Sequence, residues 1–238
     1  KKMKKVPEYL QFLKEIGVDQ LTVGDTGIIY TMKKHPEWRI PYIFDAETLV
    51  TSARQINFWA KRGAVGAVLA REVPFEEMKA MEEKLNVPVE ILVYGATCIH
   101  QSKRPLLQNY YHFTKQEERV DRDRGLFISE PKKDDTHYSI YEDTHGTHIF
   151  ASNDINLSKE LGLLYQHQFR TWKLDGLFTP GENFVKITKA FVEAKEQILA
   201  GTWNEESAEI LSKKISELHP QNRELDTGFF YIDPEAIK

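Results

Sequence analysis

Apolar and polar positions follow two alternating periods along the first hundred residues, and the alternation predicts the elements. Tyr9, Leu10, Phe12, Leu13 and Ile16 recur at helical spacing, with Gly17 placed to stop the helix. Short β-branched, apolar runs at 20–23, 40–44, 65–70 and 89–94 read as strands. Between them, 27–34, 48–62 and 74–85 read as helices. Pro74 suits a helix start, and Glu76 and Glu77 suit the positive end of its dipole.

The rhythm fails between His100 and His148. Residues 115–124 are dense in both signs of charge, and 130–135 is a loop by composition. Alternation at 136–142 and an apolar run at 147–151 flank Thr144-His145-Gly146, which predicts a β-hairpin. The first rhythm then resumes with a helix at 158–166, a strand at 171–174, a long helix at 182–200 and another at 204–218. The last of these is capped by Asn204 or Thr202 and ended by His219-Pro220. The aromatic tail 226–231 is expected to dock onto the body.

Helices alternating with strands predict an α/β fold with parallel strands covered by helices. About five strands of this type are counted, where a closed (β/α) TIM-like barrel needs about eight. The expectation is an incomplete barrel that carries a hairpin-containing insertion. The barrel portion would take 1–99 and 149–201, the insertion 100–148, and a C-terminal helix with its tail 202–238. The opening Lys1-Lys2-Met3-Lys4-Lys5 leads directly into a helix, so a missing beginning is expected. A bare edge at 20–23 would then favour self-association as a homo-oligomer.

Composition narrows the function classes. In 238 residues the net charge is −4, which gives no whole-molecule attraction to polyanions, though a local basic patch can still act. One cysteine excludes an internal disulfide framework and a cysteine-only metal site. No apolar run approaches the roughly 18 residues of a membrane span, so a cytoplasmic protein without membrane contact is expected.

The chemistry gathers at strand ends. Past Tyr94-Gly95 come Cys98, His100, Ser102, Lys103 and Arg104. Cys98 and His100 are two apart and form a candidate nucleophile and base, against the plainer reading of a thiol beside a loop histidine. Lys173 with Asp175, and Arg71 with Glu72, close other strands. There a lysine can anchor an anion or act as a base, or all four residues form an ion-pair network. Lys103-Arg104 followed by Asn109-Tyr110-Tyr111-His112-Phe113 pairs cations with stackable rings, a combination suited to single-stranded RNA. Asp143, His145, His148 and Asp154 are read as a hairpin and its surroundings, with no metal expected. No His-Glu-x-x-His, Gly-x-Ser-x-Gly or phosphate-loop motif occurs.

Glu90-x-x-x-Tyr94-Gly95-Ala96-Thr97-Cys98 resembles the signature of the collagenase-like peptidase family of unassigned catalytic type, family U32. Leu69-Ala70-Arg71-Glu72, Gly146-Thr147-His148-Ile149 leading to Asn153-Asp154, and Trp172-Lys173-Leu174-Asp175-Gly176 agree with it. The ending Asp226-Thr227-Gly228-Phe229-Phe230 resembles a short branch of that family. The resemblance implies a TIM-like barrel whose first strands lie upstream of Lys1. The catalytic candidates among the strand-end residues are Cys98, His100, Lys173 and Asp175. Substrate binding would fall to Arg71, Glu72, Glu90, Tyr94, Ser102, Lys103, Arg104, Asn153 and Asp154. Relatives are named peptidases, yet several are associated with oxygen-independent hydroxylation, including that of the wobble uridine of transfer RNA. Hydroxylation of transfer RNA is therefore expected ahead of endopeptidase activity or a noncatalytic subunit role, with transfer RNA and a paralogue of the family as partners. In many relatives the cysteine at the Cys98 position is the first of four that hold an iron-sulfur cluster. With one cysteine here, no cluster is expected, and Tyr94 stands where the family has histidine.

Overall fold

Short polar side chains decide where several helices begin. Asp25 accepts from the backbone N–H groups of Gly27 (2.6 Å) and Ile28 (3.3 Å), Ser52 from Gln55 (3.4 Å), and Asn204 from Ser207 (3.0 Å). Each satisfies donors that a helix start leaves open. A computed structural model describes residues 5–46 and 50–236. In chain order its elements are α1 (Val6–Glu15), β1 (Leu21–Val23), α2 (Thr26–Lys34), β2 (Tyr42–Phe44), α3 (Ala53–Ala60), β3 (Ala64–Val68), α4 (Phe75–Met81) and β4 (Val89–Gly95). They continue with β5 (Cys98–Ser102), α5 (Leu106–Phe113), β6 (Phe127–Glu130), β7 (Lys133–Asp143), β8 (Gly146–Phe150), β9 (Asn153–Asn156), α6 (Leu161–Gln166), β10 (Thr171–Leu174), α7 (Gly181–Ala200), α8 (Glu205–Leu218) and β11 (Glu224–Asp226).

The chain forms two compact units. The first takes the residues up to Leu92, Glu160–Lys173, and those from Thr227 onward. In it β1, β2, β3 and β4 lie side by side in that order, all parallel. Parallel strands need covering on both faces, and α2, α3 and α4 supply buried Ile29, Met32, Ile56 and Met78 for this. Phe44 of β2 stacks on Trp59 of α3 at 4.2 Å between ring centroids. The aromatic tail packs on the same unit, where Phe230 stacks on Phe75 at 4.9 Å and its carbonyl accepts from Phe75 N–H.

The second unit takes Val93–Lys159 and Leu174–Asp226, so the hairpin region, α7 and α8 belong together. Here the end of β4 pairs antiparallel with β9, Tyr94 opposite Asn156 and Gly95 opposite Ile155, and β11 joins β9 in parallel. A separate antiparallel sheet runs in the order β5, β8, β7, β6. Asp143 pairs with Gly146 across a turn made by Thr144 and His145, which is the expected hairpin. Long helix α7 and its neighbour α8 bury Ile187, Phe191, Leu211 and Ile215.

The fold is mixed α/β with a parallel sheet, as expected. Among the described residues the strand order is open, ending at β1 and β11. Residues 98–102, expected as a loop beyond the strand, form β5. Helix α5 and strands β6, β9 and β11 were not anticipated. The β9 and β11 sequences, Asn-Asp-Ile-Asn and Glu-Leu-Asp, are too polar and too short to show strand alternation. The apolar face of α1 also divides: Leu10 is buried, while Tyr9, Phe12 and Ile16 are exposed. The start of the 48–62 helix, at 48 and 49, and residues 1–4 lie outside the described residues.

Gly95 ends β4 with φ of +119°, and a Cβ there would overlap the backbone of Asp175. Both the conformation and the close approach demand glycine. Gly95→Ala is expected to destabilise the protein by at least about 1–3 kcal/mol. Urea unfolding with an unchanged midpoint would refute that.

Candidate functional site

Three charged groups meet in the first unit. Asp45 follows β2, Glu90 lies on β4, and Lys173 on β10 places Nζ 3.9 Å from Asp45 Oδ2. Burial pushes the Glu90 carboxyl above its ordinary range, Lys173 pulls it down, and Asp45 pushes it further up. Arg71 and Glu72, just past β3, form an ion pair at 3.6 Å. These side chains retain partial exposure. Asp45, Glu90 and Lys173 thus act on one another, while Arg71 and Glu72 form a pair of their own.

In the second unit, Cys98 and His100 do not form a nucleophile–base pair. The Cys98 thiol donates to the carbonyl oxygen of His100 at 3.4 Å, and the His100 side chain is exposed on β5. Their spacing of two along a strand gives the same side only where the strand is regular, and here the register shifts between Cys98 and His100. Ser102 accepts from the Arg104 N–H at 3.1 Å, and Lys103 and Arg104 are exposed. Asp175 accepts from the Leu177 N–H at 2.8 Å, a local turn contact. Asn153 donates to Asp226 at 3.0 Å. His148 pairs with Asp143 at 2.9 Å, and hydrogen bonds from His148 and the His145 N–H bring the Asp143 carboxyl down to about 2.

Tyr94 and Asp154 belong to a buried chain of polar groups. The Tyr94 hydroxyl has no solvent exposure and lies 2.9 Å from Thr179 Oγ1 and 2.8 Å from His219 Nδ1. His219 Nε2 lies 3.7 Å from Asp154 Oδ2. Asp154 in turn accepts three hydrogen bonds from Arg223, two from Nε and one from Nη2. Arg223 also donates to Ser139 Oγ and to the Ala151 carbonyl. We assign the His219 tautomer with hydrogen on Nε2, because Tyr94 then donates to Nδ1 and the N–H faces a carboxylate. Burial keeps this imidazole below its ordinary range, with Asp154 raising it and Arg223 lowering it. Tyr94 is thus committed inside the unit rather than turned to a substrate.

Next to that chain opens a cavity of about 300 Å³, lined among others by Arg122, Phe127, Tyr141, Phe178, Asn222 and Arg223. Arg223 lies over the Phe178 ring at 4.4 Å. Aromatic walls with a few fixed polar groups are what a small planar ligand requires. Reading the sequence missed Arg122, Arg223, Phe178 and Tyr141, and Tyr94's partners with them. They come from four distant stretches, and only the Cys98 neighbourhood looked chemically dense. Among the described residues no group of three or more His, Cys, Asp or Glu converges to hold a metal ion. A four-thiolate cluster does not fit this chain's single thiol.

A model of peptidase family U32 matches residues 1–238. The chain is 33% identical to a tRNA hydroxylation protein P2 of Bacillus subtilis (strain 168), over 97% of this chain and 75% of that protein. It is 23% identical to a tRNA hydroxylation protein P of Escherichia coli (strain K12), over 68% of this chain and 45% of that protein. It is 22% identical to a tRNA hydroxylation protein P1 of Bacillus subtilis (strain 168), over 95% of this chain and 54% of that protein. The chain therefore spans three quarters of the first relative and about half of the other two.

A histidine held neutral in the folded state gives up stability when the unfolded chain can take a proton that the folded one resists. The contribution of His219 is full above its ordinary value of 6.5 and is lost as pH falls from there toward the lowered folded value. His219→Gln, which cannot titrate, should flatten the fall of melting temperature across that window. Parallel melting profiles for the two proteins would contradict it.

Proposed function

The chain belongs to peptidase family U32, and from that premise we propose that it serves hydroxylation of transfer RNA, at C5 of the wobble uridine, rather than proteolysis. The observation that carries this reading is the likeness to a tRNA hydroxylation protein P2 along 97% of the chain. The geometry favours it over an endopeptidase, since a peptidase needs an activated nucleophile or a metal-bound water. The Cys98 thiol instead faces a carbonyl oxygen.

In this reading the uracil base, turned out of its stack, enters the cavity between Tyr141 and Phe178, with Arg122 and Arg223 at its polar end. A uracil presents carbonyl oxygens that guanidinium groups can satisfy. Replacing hydrogen by hydroxyl at C5 removes two electrons from the base and adds an oxygen atom, and the side chains lining the cavity supply neither. The chain's own part is then to bind and orient the base, and the oxidant is a group of other origin. A paralogue of the family is a partner consistent with that division. The charged groups Asp45, Glu90 and Lys173, and the Arg71–Glu72 pair, serve as a second anchoring surface in the first unit. A further copy of the chain is also proposed as a partner, through the open edge of β1 and the exposed Tyr9, Phe12 and Ile16.

Two measurements test this. Nucleoside mass spectrometry of transfer RNA from a deletion strain should show loss of 5-hydroxyuridine-derived nucleosides, restored by the wild-type gene and reduced about tenfold with Arg122→Gln. Unchanged nucleosides in the deletion strain, or casein degradation abolished by Cys98→Ala, would overturn the reading. Sedimentation of the chain over rising concentration should report a dimer that Phe12→Asp weakens. A monomer at every concentration would remove the second copy.

A further inference from the structure

Helix α5 is an anchored element with an apolar face turned outward. Its first N–H groups are held from below: Leu106 donates to Thr147 Oγ1 at 3.0 Å, Leu107 to Glu142 Oε1 at 2.5 Å and Gln108 to Glu142 Oε2 at 3.2 Å. Glu142 and Thr147 are buried, and the Thr147 hydroxyl lies 2.6 Å from Glu142 Oε1. A buried carboxylate at a helix start is favoured by the dipole and by the open donors, so α5 has a fixed origin and direction. Yet none of its residues is buried. Leu106, Tyr110 and Phe113, spaced to share one face, are 39%, 58% and 85% exposed. A phenylalanine that exposed, on a helix held this firmly, is a surface kept for something.

Charge selects the occupant. From Lys103 to Gln116 the chain carries Lys103, Arg104 and Lys115 and no aspartate or glutamate, within a protein of net charge −4. The cations stand at both ends of the helix, with the rings between them. We propose that the outward face of α5 is a platform on which unpaired RNA nucleotides stack, bases on Tyr110 and Phe113 and phosphates on Lys103, Arg104 and Lys115. Every base offers a ring face, so such a platform needs no particular sequence, and its cations make binding dependent on salt. Double-stranded RNA buries its base faces and is excluded. This inference rests on the reading of the chain as an RNA-acting protein and adds to it the surface that holds the strand.

The probe is fluorescein-labelled oligouridine, with a duplex RNA of equal length as its control, titrated by anisotropy at low and high salt. The single strand should bind more tightly than the duplex and more weakly as salt rises. Phe113→Ala and Tyr110→Ala should each weaken it about five- to a hundredfold, with melting temperatures unchanged because both rings are exposed. Phe113→Trp should keep the affinity and show indole emission quenched by the RNA, a signal that a purely structural role would not give. Equal binding of single strand and duplex, or alanine variants that bind like wild type, would overturn the proposal. Loss of self-association in Phe113→Ala with RNA binding intact would do the same and mark a protein interface. The two readings separate: aromatic-dependent binding with unchanged nucleosides in the deletion strain defeats the hydroxylation reading alone. Full nucleoside restoration by Phe113→Ala, with its RNA affinity unchanged, defeats the platform alone.

Discussion

Asp154 and Arg223 are 1% and 7% exposed, and charges so far from water are tolerated only when paired and fully hydrogen-bonded. The second unit is arranged to meet that demand. Arg223 spreads its donors over Asp154 of β9, Ser139 of β7 and the Ala151 carbonyl. The carboxylate is extended through His219 to Tyr94 of β4 and on to Thr179 before α7. Deleting either member of the pair would strand the other, at a cost of about 3–5 kcal/mol. One ion pair therefore ties together strands of both sheets in this unit and the segment after α8.

The same constraint shapes the cavity. Because Asp154 and Ser139 hold the guanidinium of Arg223 in place, it lies fixed over Phe178 where it lines the cavity. A polar group presented without freedom to move loses little on binding a ligand. The group of Asp45, Glu90 and Lys173 in the first unit is held differently. Its ions are partly exposed and loosely spaced at 3.9 Å, so water and salt weaken them.

Much of the fold was legible in the chain itself. The two apolar periods determined the parallel β1 to β4 order with α2 to α4, because strands buried on both faces must be apolar and the helices between them amphipathic. Gly17 and Asn204 declared helix ends through chemistry that is local, whereas the Asp25 cap showed itself only in the structure. The hairpin of β7 and β8 followed from alternation about Thr144-His145-Gly146. What local pattern could not carry is pairing across the chain. Strands β9 and β11 exist because their backbones pair with each other and with β4, whatever their polar sequence suggests. Cys98 and His100 drew attention by closeness along the chain, whereas Asp154 and Arg223, 69 residues apart, met only in the folded unit. Residue types and periods are written in sequence. Which buried charge finds its partner, and which phenylalanine is left in water, depends on the path of the whole chain.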